Sequence, residues 1–289
     1  MVVWKVTESF RRRLAVVIAL LAFLLIARGG MWLSEQGTPV LGTPGLLEDV
    51  RTGSKVVALT VDLAWGREVP ESLLDILAQE KVPATFFIAG PWAAENPQLV
   101  RRMAADRHEI GSRSYKQINL TQYPREIVDE EIERAQAAIE AASGRTPRFF
   151  RAPNGDYNAL IVERARAKGY IPVRWSLDSQ DWLNPGTDYI VQRVLSKAKP
   201  GDIILFNAND TDHQTPDALR LVINGLRKEG YEFVTVSELL LRADTSSEDN
   251  APTPAEPSSA ATAVGSESIP GRLENVPVHE GASARSKTM

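Results

Sequence analysis

The sequence predicts an α/β fold in which seven parallel strands alternate with helices and either close as a barrel or lie as an open sheet. Two observations carry this. Short apolar runs of strand length recur between residues 55 and 242, and segments with helical spacing separate them. Such alternation requires parallel pairing through crossover helices. The composition agrees, because 43 % apolar and 24 % charged residues are ordinary for a globular chain and exclude a wholly disordered or collagen-like one.

In chain order, residues 1–33 begin with Lys5 and Arg11, Arg12 and Arg13, continue with an unbroken apolar run from Leu14 to Ala27, and end beyond Arg28. This is the pattern of an export segment. The run would span about 21 Å as a helix, short for a bilayer core. No clear small-x-small cleavage site follows, so an uncleaved signal anchor is expected. The basic cluster then lies in the cytoplasm and the rest of the chain is extracytoplasmic; secretion after cleavage is the alternative. Residues 34–54 read as a linker. The strands are expected at Val56–Val61, Ala84–Ile88, His108–Gly111, Arg148–Phe150, Ile171–Trp175, Asp202–Phe206 and Glu232–Val236. The clearest helix carries Val128, Ile132, Ala135, Ile139 and Ala142 on one face and stops at Gly144. Another is announced by Thr215 as N-cap and Pro216 in the first turn. Residues 243–289 have no aromatic side chain and are rich in Ala, Ser, Pro and Glu, which predicts a disordered acidic tail.

Several chemistries are excluded outright. The chain has no cysteine, which removes disulfides, thiolate metal sites and cysteine nucleophiles. Its three histidines, His108, His213 and His279, are too far apart for any short metal motif. A formal charge of −4 with dispersed basic residues gives no reason to expect nucleic acid.

In sheets of this kind, polar residues just past the strand ends line the site. That rule selects Asp62 and Trp65 after the first strand, Arg113 and Gln117 after the third, and Arg151, Pro153 and Tyr157 after the fourth. It adds Asp178, Asp181 and Trp182 after the fifth, and Asn207 after the sixth. Together they predict a pocket for a polar ligand, with Trp65, Tyr157 and Trp182 suited to the apolar faces of sugar rings.

From Val56 to Leu241 these residues resemble the NodB-type polysaccharide deacetylases, carbohydrate esterase family four. Thr60-Val61-Asp62 with Trp65-Gly66 is similar to the first motif of the PdaB-like, sporulation-associated branch. Arg151, Pro153 and Gly155 match the third motif, and Asp178, Asp181 and Trp182 the fourth. The resemblance implies a distorted seven-stranded (β/α) barrel acting on cell-wall glycan. It also implies a divalent metal held by one aspartate and two histidines, which polarises an acetamide carbonyl and activates water. By the same resemblance Asp62 would be the general base, Arg151 its orienting partner, and Asp181 the group that tunes a histidine acid.

Four positions depart from that pattern. Leu63 replaces the metal-binding aspartate, Arg113 and Gln117 replace the two metal-binding histidines, and Asn207 replaces the acid. Leucine donates nothing, and arginine does not deprotonate to bind a cation. The expectation is therefore a site without cofactor and with metal-dependent hydrolysis lost or strongly reduced. Two arrangements are open for Arg113: its guanidinium takes the metal's place and neutralises Asp62 jointly with Arg151, which would preserve the pocket without its chemistry, or it simply points to solvent.

His213, in the loop after Asn207, could serve as a displaced acid, but a loop histidine before a helix start is the simpler reading. Asn209, Asp210 and Asp212 hint only weakly at a hard cation, and His108 reads as structural. Two functions follow. In one, a membrane-tethered pseudoenzyme binds glycan or a protein partner through the old cleft; in the other, a peptidoglycan deacetylase or amide hydrolase uses Asp62 with a non-standard site.

Overall fold

The computed structural model describes residues 44–243. The expected export segment, the first part of the linker and the acidic tail with His279 lie outside the described residues. Among the described residues no helix is long and apolar enough to cross a membrane.

Eight strands form one sheet: β1 (Val56–Leu63), β2 (Thr85–Ile88), β3 (Glu109–Ser112), β4 (Phe149–Phe150), β5 (Ile171–Pro172), β6 (Leu177–Asp178), β7 (Ile203–Asn207) and β8 (Glu232–Val234). Seven lie in the order β5-β4-β3-β2-β1-β7-β6, and β8 pairs with the start of β1. Every pairing is parallel, as the alternation of strands and helices requires. The sheet is the distorted barrel that the resemblance implied. Around it run α1 (Glu68–Glu80), α2 (Gly90–Glu95), α3 (Pro97–Ala105), α4 (Arg125–Ser143), α5 (Ala159–Ala167), α6 (Thr187–Lys197), α7 (Thr215–Lys228) and α8 (Val236–Leu241).

Alternation along β1 explains both layers of the core. Val57, Leu59, Val61 and Leu63 pack into the cluster shared with the helices, whereas Val56 and Ala58 join the cluster inside the barrel base. Thr60 and Asp62 share that inward parity and are buried. The base is plugged by Val236 and Leu239 of α8. The stripe read on α4 is the buried one, with Val128, Ile132, Ala135, Ile139 and Ala142 all inside, and the helix stops at Gly144 with φ 70°.

Three local readings are corrected. The expected strand Ile171–Trp175 stops at Pro172, because the Arg174 carbonyl leaves the ladder to accept from the buried Arg151 Nη2 at 2.6 Å, and β6, which was not expected, follows at Leu177–Asp178. The expected strand Glu232–Val236 ends at Val234. Thr235 and Glu238 form a capping box that starts α8, and this pattern outweighs the β-branched residues around it. Thr215 is the first residue of α7 and does not cap it; its hydroxyl is drawn to Asp181.

The end of the expected linker is part of the barrel. Leu47 bridges to Val173 in the seam between β5 and β6, and the buried Val50 donates its N–H to the Gly201 carbonyl at 3.0 Å. A Cβ at Gly201, where φ is 88°, would lie 1.7 Å from the Val50 oxygen, so this crossing needs glycine.

Candidate functional site

Register brings the site together. Asp62 pairs with Phe87 of β2 and with Asn207 of β7, so it stands in the middle of the sheet at the carboxyl ends of the strands. On the other side of β2, Ser112 pairs with Phe150, which places Arg113 and Arg151 side by side one step further out.

Asp62 is held by both arginines. Arg151 Nη1 donates to Asp62 Oδ1 at 2.8 Å and to Thr60 Oγ1 at 3.0 Å, and the Thr60 hydroxyl donates in turn to the Ile204 carbonyl. The Arg151 guanidinium is fully buried, lying 3.9 Å from the Phe87 ring centre and 5.4 Å from that of Trp175. Burial pushes its pKa down from the usual arginine range, and the charge of Asp62 opposes that push. Arg113 Nε lies 2.9 Å from Asp62 Oδ2, and the side chain is buried. The N–H does not point along that line, so the contact is an ion pair more than a directed hydrogen bond. The loop that carries Arg113 is anchored by the buried Glu131 of α4, which accepts from the Lys116 N–H at 2.6 Å and the Ser114 hydroxyl at 3.3 Å.

A second buried carboxylate, Asp181, organises the other wall. It accepts from the Asn207 N–H at 2.7 Å, Asn207 Nδ2 at 2.8 Å, the Thr215 hydroxyl at 2.8 Å and the Trp182 N–H at 2.9 Å. Burial raises its pKa to about 6 despite these donors. With Nδ2 committed to Asp181, the amide of Asn207 turns its Oδ1 elsewhere.

Loop residues flagged as weak cation candidates are structural acceptors instead. Asn209 Oδ1 accepts from the N–H groups of Ala64 and Trp65, and Asp210 accepts from those of Arg67 and Val69, capping α1 from outside. Asp212 accepts from Asn209 N–H and Nδ2 at 2.8 and 3.0 Å, and burial raises its pKa. His213 is exposed and does not line the cavity described next. His108 is buried at the base with Nδ1 accepting from Ala84 N–H, and burial lowers its pKa to about 4.

The mouth holds a cavity of about 550 Å³ lined by Asp62, Arg113, Asp178, Asn207, Trp65 and Trp182 from the expected set. Trp65 is 49 % exposed and Trp182 53 %, so both present free aromatic faces on the rim. Other expected residues stand elsewhere. Tyr157 is a brace: its hydroxyl contacts the Phe150 and Val173 carbonyls and accepts from Ala152 N–H. Pro153 is buried in the turn below it. Gln117 is exposed outside the cavity, and Leu63 is sealed in the helix-facing core. Arg151 and Asp181 support the walls from behind. Sequence reasoning missed Asn154, Trp175, Leu205, Asn209, Thr211 and Asp212 as lining residues. The polar cluster Asn209 to Asp212 was the available signal for three of them, and nothing local distinguishes Trp175 from a strand core residue.

The divalent metal implied by the resemblance does not fit these residues. Among the described residues no three His, Asp or Glu side chains gather as a donor set. The Asp62 oxygen not used by Arg151 faces a guanidinium, which carries the positive charge a cation would bring.

The comparisons with known proteins bear on the family of the fold. A family model described as polysaccharide deacetylase matches residues 49–173. A peptidoglycan-N-acetylglucosamine deacetylase of Bacillus cereus is 36 % identical over 195 residues, which cover 66 % of this chain and 91 % of that protein. The uncharacterized protein YlxY of Bacillus subtilis is 34 % identical over 185 residues, 64 % of this chain, and the match spans 57 % of YlxY. The crystal structure of a CE4 family pseudoenzyme from Bacillus anthracis superposes with a TM-score of 0.65 at 30 % identity, covering 68 % of this chain and 69 % of that one.

Proposed function

Because this chain belongs to the polysaccharide deacetylase family, carbohydrate esterase family four, we propose that its domain holds cell-wall glycan in the cleft without metal-dependent hydrolysis. The observation that carries this reading is the engagement of both Asp62 oxygens, Oδ1 by Arg151 and Oδ2 by Arg113. A general base needs an oxygen free to take a proton from water, and here each oxygen of Asp62 already faces a guanidinium. The amide at Asn207 has no proton to deliver to a leaving amine near neutral pH. These two facts also weigh against the alternative in which Asp62 works in a non-standard hydrolytic site.

Retained binding is supported by what remains at the mouth: exposed Trp65 and Trp182, a cavity of about 550 Å³, and a wall kept in order by Asp181. Relatives named as peptidoglycan and chitooligosaccharide deacetylases support an amino-sugar polymer as the ligand class. The basic and then apolar stretch up to Ala27 supports display on the outer face of a membrane.

The test measures acetate release from N-acetylated chito-oligosaccharides and peptidoglycan, with and without added divalent metals, next to binding of the same glycans by calorimetry. Binding without acetate is expected. Turnover that vanishes in Asp62→Asn would overturn the proposal.

A further inference from the structure

The charges of the cleft do not suit a neutral ligand. Arg113 and Arg151 exceed Asp62 by one positive charge. Against that surplus stand three further carboxylates, Asp178 and Asp212 in the cavity lining and Asp181 in the wall behind Asn207. Among the residues that line the cavity, three aspartates, Asp62, Asp178 and Asp212, stand against one arginine, Arg113.

The hydrogen-bonding groups are unbalanced in the same sense. The amide and hydroxyl donors at the mouth are spent inside the protein, Asn207 Nδ2 on Asp181, Asn209 Nδ2 and the Thr211 hydroxyl on Asp212, and Asn154 Nδ2 on Asn119, which leaves Arg113 Nη1 and the indole N–H groups of Trp65, Trp175 and Trp182 as the donors there. Arg113 leaves its charge on Asp62. Acceptors are left over. Asn207 is 7 % exposed, lines the cavity, and has no protein donor on Oδ1. Asp178 accepts only through Oδ1, from Gln180 N–H, and Asp212 Oδ1 has only the long 3.3 Å contact from Thr211. An acetamide would bring a carbonyl oxygen in need of a donor, whereas a primary ammonium would bring three donors and a positive charge.

We infer that the cleft recognises a glycan whose amino sugars carry free, protonated amines, with the Asn207 carbonyl accepting from the ammonium and Asp178 and Asp212 supplying the favourable field. The ligand is the product of an N-deacetylation, so the protein acts downstream of that class of reaction as a reader of the modified chain. Asn207 is then a functional acceptor: Asp181 holds its amide so that oxygen, not nitrogen, meets the ligand. The inference rests on the glycan-binding reading and deepens it.

The experiment titrates the full chain calorimetrically at pH 6.5 with chitotetraose in its N-acetylated and fully deacetylated forms. The deacetylated tetramer is expected to bind about tenfold more tightly or better, the effect of one charge-assisted hydrogen bond. Asp212→Asn and Asp178→Asn are each expected to reduce that preference, and raising the salt concentration reduces it as well. Asp178 is the safer variant, because it makes one backbone contact where Asp212 holds the Asn209 turn. Equal binding of the two tetramers, or tighter binding of the acetylated one, would overturn the inference and leave glycan binding standing. No binding of either would overturn the glycan-binding reading with it.

Discussion

Arg113 Nε lies 2.9 Å from Asp62 Oδ2, the oxygen that Arg151 does not use, and both side chains are buried. The family's base position is thereby locked between two guanidiniums contributed by β3 and β4. A buried carboxylate with two cationic partners is an electrostatic unit, and it sets an order of mutational costs.

Asp62→Asn leaves two buried guanidiniums without a counter-charge, and a loss of about 3–5 kcal/mol is expected. Arg113→Met leaves the Asp62–Arg151 pair balanced and fills the space with apolar atoms, so a smaller loss, about 1–2 kcal/mol, is expected. Urea unfolding of the two variants checks the order; an Arg113→Met cost equal to or above that of Asp62→Asn would show that the ion pair is not organised this way.

Restoring the family's residue types at the four departed positions tests the proposed loss of hydrolysis from the other direction. The combined substitutions Leu63→Asp, Arg113→His, Gln117→His and Asn207→His are expected to create metal-dependent acetate release above that of the natural chain. Leu63 is sealed among helix-facing residues, so its change to Asp is expected to cost about 3 kcal/mol or more until metal is added. Thermal melting with and without zinc, alongside the acetate assay, reads both effects; metal that neither raises the melting temperature nor supports turnover would count against this account of the site.

Asp181 predicts an unusual pH dependence. Burial raises its pKa from 3.8 to about 6, so the folded chain binds a proton more tightly there than the unfolded chain does. Its contribution to stability is fully present below about pH 4 and is lost as the pH rises through 6, by roughly 3 kcal/mol in all. Asp181→Asn removes the titration, so the stability gap between the natural chain and this variant is expected to shrink from pH 4 to pH 7. Denaturant unfolding at the two pH values measures it, and a gap that stays constant or widens contradicts the assignment.

Trp182 separates binding from folding. It is 53 % exposed on the cavity rim, so Trp182→Ala is expected to change stability by no more than about 0.5 kcal/mol while weakening glycan binding by about tenfold. Trp65→Ala should behave alike. Calorimetry and thermal melts on the same samples decide between this and a purely packing role.

Much of the architecture was legible because it is written in local patterns. The apolar period on α4, the strand-length runs and the polar residues that follow them depend on neighbours within a few positions, and several of those polar residues line one cavity. The strand break after Pro172 was not legible, since its cause is the demand of a guanidinium at position 151 for the Arg174 carbonyl. Nor was the role of Tyr157, whose hydroxyl is committed to backbone carbonyls that only the closed sheet brings near. The Thr235 capping box could have been read from the sequence, but the β-branched residues beside it argued for a longer strand.

The sequence by itself determined the fold class, the loss of every histidine and second aspartate that a cation would need at the mouth, and the set of arginines available to replace it. Whether Arg113 would face solvent or Asp62 was decided only by the tertiary structure. The two residues are joined through the pairing of β1, β2 and β3, and their contact exists because parallel register brings those strand ends level in a low-dielectric interior where an unpaired charge is costly. The same holds for Asn207, whose composition says only amide; the carboxylate of Asp181, brought beside it by the fold, chooses which end of that amide faces the cleft.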